Sequence, residues 1–259
     1  IPDRSGSTAV AVIISPTHFY FANCGDSRAL LVRSGAVSFA TQDHKPCNPK
    51  ERDRIQRAGG SVLMQRVNGS LAVSRSFGDF EYKMTDALSP VEQQVSPEPD
   101  IDVIVRDNSS DEVLVLACDG VWDVMSNEEI ASFVLNRLRI HEDLSAIASE
   151  LIDTCLYKGS RDNMSVIIVT LPAAPQPDSS CAEIDSNLNT TIEEKIKSYI
   201  DQSPVYNVST IIEQLRGENL EGLPPGGGLE SKRALIDSIF KRLTVDNSLG
   251  DHQNGEEAD

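Results

Sequence analysis

Read for its alternation of apolar and polar positions, the chain opens on short β-rich runs. Ala9–Ile14 and His18–Cys24 are separated by Ser15-Pro16-Thr17; Ala29–Val32 follows Gly25-Asp26-Ser27, and Val37–Ala40 follows Ser34-Gly35. Apolar runs of this length bounded by turn formers predict strands, here in an antiparallel meander. A polar segment starting at Asn48-Pro49, with apolar Ile55 and Ala58 and a stop at Gly59-Gly60, predicts a helix. Short strands are expected around Ser61–Met64 and Ile101–Val105, bracketing the turn-rich stretch Gly69–Pro99. Glu112–Cys118, apolar after its first residue and bounded by Asp111 and Asp119-Gly120, has the pattern of a fully buried strand.

Beyond it, Ser126-Asn127-Glu128-Glu129 is a capping box opening a helix with Ile130, Phe133, Val134 and Leu138 on one face. Leu144–Tyr157 repeats the pattern with Ile147, Leu151 and Cys155, and Val166–Leu171 is the last strand. This order of elements predicts an α+β layered core with helix pairs packed on sheet. Pro172-Ala-Ala-Pro-Gln-Pro-Asp-Ser-Ser180 then breaks all periodicity. The expected organisation is a first domain over 1–172, a linker over 173–189, a helical domain over 190–243 and a disordered acidic tail over 244–259. The helical domain would hold amphipathic helices at Thr191–Gln202, Val208–Arg216 and Leu229–Leu243, the last two separated by Leu223-Pro-Pro-Gly-Gly-Gly228. The tail is assigned from Asp251–Asp259, which is polar and without core residues.

Charge narrows the classes of partner. The 259 residues carry 23 basic and 40 acidic side chains, a net charge of −17 that argues against nucleic acid or an anionic membrane and leaves cations open. No apolar run approaches the ~20 residues that span a bilayer, so a soluble chain is expected. The five cysteines form no C-x-x-C pair and no even framework, which points to reduced thiols in a reducing compartment. N-x-S/T sequons at Asn68, Asn108, Asn163, Asn189 and Asn207 are read as chance matches. The chain starts Ile-Pro-Asp-Arg without Met and is inside a strand by residue 9, so the lack of a targeting signal carries no weight.

No Gly-rich phosphate loop, no G-x-S-x-G elbow and no H-E-x-x-H occurs, and the four histidines are scattered. What recurs is an Asp at the end or start of a strand: Asp26 in Cys-Gly-Asp-Ser-Arg, Asp119 in Ala-Cys-Asp-Gly-Val-Trp-Asp123, and Asp162 in Gly-Ser-Arg-Asp-Asn-Met-Ser. Each taken singly is a turn former. Gathered at one rim they would repel one another unless a hard divalent cation neutralised them, and all-oxygen ligation selects Mg²⁺, Mn²⁺ or Ca²⁺ over zinc. Both readings stand at this point.

These residues also carry a resemblance. Ser5-Gly-Ser-Thr-Ala9, Asn23-Cys-Gly-Asp-Ser-Arg-Ala29, Asp43-His-Lys-Pro46, Arg54-Ile-Gln-Arg-Ala-Gly-Gly60, Arg66–Arg75, Phe77-Gly-Asp79, Ala117–Asp123 and Gly159–Ser165 resemble, in order, the blocks of the metal-dependent protein serine/threonine phosphatases of type 2C. The segment with Leu223-Pro-Pro-Gly-Gly-Gly and Ser231-Lys-Arg is similar to the extra helical domain of the animal alpha/beta-type members. The resemblance implies a four-layer β-sandwich of two antiparallel sheets flanked by antiparallel helix pairs, its N-terminal strands missing here, plus a small C-terminal all-α domain.

It further implies two or more Mg²⁺ or Mn²⁺ ions per site and hydrolysis of phosphoserine and phosphothreonine by a water bridging two metals, with no side-chain nucleophile. Asp119 and Asp162 match the family's metal-binding aspartates, Asp26 and Asp123 match carboxylates of a looser metal, and Arg66 aligns with a basic residue near the phosphate. An exposed structural salt bridge is the other reading of Arg66. The family places an Arg, an acidic residue and an Asp-Gly-His-Gly block before the Ser-Gly-Ser-Thr-Ala segment, and this sequence has none of them. The expectation is therefore a fragment with about half the site, inactive alone and with uncovered sheet edges. Trp122 is expected as a core anchor, His44 as structural, Arg75 and Asp79 as a loop ion pair, and Asn163 as support for the turn at Asp162. Expected partners are phosphorylated proteins, with a monomeric state and a cytoplasmic or nuclear location. Two other functions stand beside this one: a phosphatase-like binding or regulatory protein without catalysis, and a cation-binding protein, for which no EF-hand loop is present.

Overall fold

The computed structural model describes residues 4–202 and 207–250, with side chains in the second stretch described as far as residue 244. Eleven strands and seven α-helices are assigned among these residues, an α+β architecture. In the first half these are β1 (Gly6–Ser7), β2 (Ala9–Ile14), β3 (His18–Cys24), β4 (Arg28–Arg33), β5 (Ala36–Ala40), α1 (Pro49–Arg57), β6 (Val62–Leu63), β7 (Arg66–Val67), β8 (Phe77–Gly78) and β9 (Asp100–Val105). Then come β10 (Asp111–Ala117), α2 (Asp119–Trp122), α3 (Asn127–Leu138), α4 (Leu144–Tyr157), β11 (Val166–Thr170), α5 (Ser179–Gln202), α6 (Val208–Gly217) and α7 (Arg233–Gly250).

The first four predicted strands form but do not make one meander. β2 and β3 pair in a three-stranded antiparallel sheet of order β2-β3-β9, whereas β4 and β5 belong to a four-stranded antiparallel sheet of order β11-β10-β4-β5. The chain changes sheet at Gly25-Asp26-Ser27, where Gly25 has φ +120°, a conformation that favours glycine. Alternation along a strand says which face is buried, not what covers it. Phe19 and Phe21 of β3 and Ala29 and Leu31 of β4 all have inward faces, and stacking two sheets buries both sets at once. Those four residues, with Leu114 and Leu171, are fully or almost fully buried in one cluster, and Phe21 lies 4.6 Å from Phe39, centroid to centroid. β4 and β10 are buried along nearly their whole length, as a continuous apolar run requires.

The chain separates into two compact units, one of residues 1–131 and 161–174 and the other of 132–160 and 175–259. The second unit takes in α4 as well as α5, α6 and α7. Its core is Leu188, Ile192 and Ile196 of α5, Ile211, Ile212 and Leu215 of α6, and Leu229, Ile236 and Ile239. Asp185 accepts hydrogen bonds from Arg137 and Lys232, both at 2.7 Å, tying α3, α5 and the turn before α7.

Two boundaries differ from the sequence reading. Helix α5 begins at Ser179 rather than Thr191, so most of the expected 173–189 linker is helical. Ser, Asn and Thr at 186–191 are weak helix formers, but Leu188 continues the i, i+4 stripe of Ile192 and Ile196 and is buried with them, and packing overrides propensity. Helix α7 likewise runs to Gly250, past Leu243, so the expected tail is helical over 244–250. Its remainder, 251–259, lies outside the described residues.

Candidate functional site

Strand register assembles the candidate carboxylates. In the four-stranded sheet Ala117 of β10 pairs with Arg28 of β4 on one side and with Val166 of β11 on the other. Asp26 precedes Arg28, Asp119 follows Ala117 and Asp162 precedes Val166, so antiparallel pairing delivers all three to the same end of the sheet. Asp119 opens α2 and Asp123 closes it as the C-cap. Gly120 allows the closing approach: a Cβ there would stand 2.7 Å from the Asn163 carbonyl oxygen and 3.2 Å from the Asp162 Cβ. Cys118 joins the two segments, its backbone N–H donating to Ser165 O at 3.3 Å and its Sγ lying 3.2 Å from Asn163 O. Asp162 is braced from within, its Oδ1 accepting the Asn163 N–H at 2.7 Å.

The four aspartates share one electrostatic environment. Burial, and then the negative charges of Asp26, Asp123 and Asp162, push the Asp119 carboxyl up from its ordinary value, with Lys45 opposing. Asp26 is buried and Asp119 half-buried, while Asp123 and Asp162 are exposed. Lys45 enters the group from the Asp43-His44-Lys45-Pro46 turn, its Nζ 2.5 Å from Asp26 Oδ2. Burial opposes the charge on Lys45, but the bond to Asp26 and the charges of Asp26, Asp43 and Asp123 outweigh it and raise its pKa. The sequence reading missed Lys45; its signal was its place in the Asp-His-Lys-Pro block.

Four carboxylates against one ammonium leave an excess of hard, anionic oxygen donors, the chemistry that suits Mg²⁺ or Mn²⁺. Among the described residues no three His, Cys, Asp or Glu side chains converge as a ready ligand set. Water or further oxygen donors would have to complete the coordination, as is usual for Mg²⁺.

Arg66 stands apart. It is exposed on the β6–β7 hairpin, its Nη1 donates to Ser70 O at 2.6 Å, and it is not among the charges that shift Asp119. Trp122 is the expected anchor: almost fully buried, with Nε1 donating to Ala117 O at 2.8 Å and the Arg28 guanidinium 5.0 Å from its ring centroid. Arg75 does not pair with Asp79. It binds Glu51 and Asp100, while Asp79 accepts from Ser76 Oγ at 2.5 Å.

Comparison with known proteins bears on what this rim does. Residues 1–164 match the family model described as protein phosphatase 2C, and residues 165–241 match that of the protein serine/threonine phosphatase 2C C-terminal domain. Mouse protein phosphatase 1B is 53% identical over 244 residues, and mouse protein phosphatase 1A 54% identical over 245. Each alignment covers 93% of this chain, which spans 62% and 64% of the respective relative. Among solved structures, a phosphatase from Toxoplasma gondii matches with TM-score 0.57 and 38% identity over 60% of this chain and 48% of its own. A Caenorhabditis elegans sex determining protein matches with TM-score 0.58 and 26% identity over 70% of this chain and 43% of its own.

Proposed function

The chain belongs to the protein phosphatase 2C family, and we propose that the protein is a Mg²⁺- or Mn²⁺-dependent serine/threonine phosphatase acting on phosphoserine and phosphothreonine in proteins. The observation that carries this reading is the rim at which strand register gathers Asp26, Asp119 and Asp162, with Asp123 on the same short helix as Asp119. Asp119 and Asp162 would hold the principal metal site and Asp26 and Asp123 a looser one. A divalent pair supplies Lewis acidity and an activated water for in-line attack on phosphorus. Lys45 neutralises part of the charge on Asp26. Arg66, with its exposed side chain, would reach a phosphate oxyanion of the substrate.

In this reading residues 1–172 belong to the phosphatase domain and the helical domain presents a surface to other proteins. The protein works as a monomer in the cytoplasm or nucleus, away from nucleic acid. No helix among the described residues is long and apolar enough to cross a membrane. A phosphatase-like binding or regulatory protein without catalysis is the second reading.

The experiment is hydrolysis of a phosphothreonine peptide in Mn²⁺ or Mg²⁺ by three proteins: this chain, the chain extended by its relatives' N-terminal segment, and the extended chain with Asp119→Asn. Activity in the extended chain alone, lost in the variant, supports the metal phosphatase and an incomplete site in the shorter chain. A folded extended chain that binds Mn²⁺ and hydrolyses nothing establishes the binding protein instead.

A further inference from the structure

We propose that His44 is the positioning residue for Asp26, a role that rests on reading Asp26 as a metal-binding carboxylate. The residue before Asp26 is Gly25, with φ +120°. A side chain there is excluded, since a Cβ would lie 2.3 Å from Thr8 Cγ2. Glycine is the most conformationally free residue, so the link that carries Asp26 must be held from outside. His44 holds both of its polar groups: the Gly25 N–H donates to His44 Nδ1 at 3.0 Å, and the His44 N–H donates to Gly25 O at 2.9 Å. The side chain of Asn23 adds a second donor to Gly25 O at 3.2 Å.

The grip is itself anchored. Because Nδ1 accepts, the imidazole proton sits on Nε2, which donates to Asp100 Oδ2 at 3.1 Å. Asp100 Oδ1 accepts from Arg75 Nη1 at 2.9 Å, and Arg75 is bound in turn to Glu51 of α1. The His44 carbonyl accepts from both the backbone N–H and the hydroxyl of Ser74, each at 3.0 Å. His44 is 3% exposed and Gly25 is buried, so water cannot replace the ring. A chain of contacts thus runs from helix α1 to the peptide that carries Asp26. Partners behind a metal-binding carboxylate govern how well it is presented.

Two near-isosteric variants of the full-length protein separate the two ends of the ring. In His44→Asn the side-chain oxygen can occupy the Nδ1 position and still accept the Gly25 N–H, whereas His44→Gln reaches toward the Nε2 position and leaves that N–H without an acceptor. Titration calorimetry with Mn²⁺ should show roughly tenfold or greater weakening of the looser site in His44→Gln, with most of the affinity restored in His44→Asn. Hydrogen exchange at the Gly25 amide should accelerate in His44→Gln only, and KM for a phosphopeptide should stay put in both. Equal losses in the two variants, tracking their melting temperatures, would overturn the proposal in favour of simple packing, as would unchanged Gly25 exchange in His44→Gln. An Asp26→Asn control with undiminished Mn²⁺ affinity would instead bring down the metal-binding reading of Asp26, and the positioning role with it.

Discussion

Arg75 and Glu51 form a buried ion pair, Nη2 to Oε1 at 2.7 Å and Nε to the two carboxylate oxygens at 3.1 and 3.2 Å, with side chains 2% and 3% exposed. The pair ties helix α1 to the segment leading into β8. Through Asp100 it backs His44 and the turn that carries Asp26.

Breaking this pair from one side removes the buried one of the two carboxylates that compensate the Arg75 charge, leaving only the half-exposed Asp100. Glu51→Gln should cost about 3–5 kcal/mol, read as a fall in the urea midpoint at unchanged m-value. Burial alone would raise the Glu51 carboxyl, but hydrogen bonds from Arg75 and Ser74 and the charges of Arg54 and Arg75 bring it from 4.5 down to about 2. A carboxyl depressed in the folded state stabilises fully above its unfolded value and loses that contribution as pH falls through the folded one. The wild-type protein should therefore lose stability between pH 4.5 and 2 more steeply than Glu51→Gln. Parallel pH profiles would refute the assignment.

Gly120→Ala tests the close approach at the rim. Its new methyl would meet the Asn163 carbonyl, a backbone atom with little room to yield. We expect a loss of about 1–3 kcal/mol and a drop in phosphatase activity larger than stability explains, since Asp119 and Asp162 would be parted. A variant with full activity and full stability would show that the two segments can separate freely.

Asp119→Asn should act in opposite directions with and without metal. In EDTA it relieves the repulsion that burial and three other aspartates impose on this carboxyl, so the melting temperature should rise. With Mn²⁺ the wild-type protein should gain stability by binding and the variant should not. Thermal scans of both proteins in the two buffers decide this, and a Mn²⁺ shift retained in full would exclude Asp119 as a ligand.

Arg66→Ala separates substrate contact from structure. The guanidinium is exposed and its one bond closes a local hairpin turn, so stability should change by no more than about 0.5 kcal/mol. A role at the phosphate predicts a higher KM for phosphopeptide. Unchanged KM and kcat would leave Arg66 as a hairpin residue.

The elements were legible where local chemistry is decisive. Asn48-Pro49 and Gly59-Gly60 bound α1, and the capping box at Ser126 opens α3: Glu129 Oε2 accepts the Ser126 N–H at 2.8 Å, and Ser126 Oγ accepts the Glu129 N–H at 3.2 Å. The strand-end aspartates stood out because a carboxylate is unexpected beside an apolar run. Helix α5 was misjudged because weak local propensity over 186–191 is overruled by Leu188, whose burial depends on α6 and α7.

Sequence alone thus determined the periodicity of each element, the positions of Asp26, Asp119, Asp123 and Asp162, and the family resemblance those motifs carry. All of these are properties of residues near one another in the chain. Only the tertiary structure decided that β3 and β4 lie in different sheets, that Lys45 reaches Asp26, that Arg75 answers Glu51 rather than Asp79, and that His44 grips Gly25. Each of these depends on contacts made beyond the local stretch, set by the register of strands and by the need to bury facing surfaces and satisfy buried charges together, conditions that no local stretch of sequence contains.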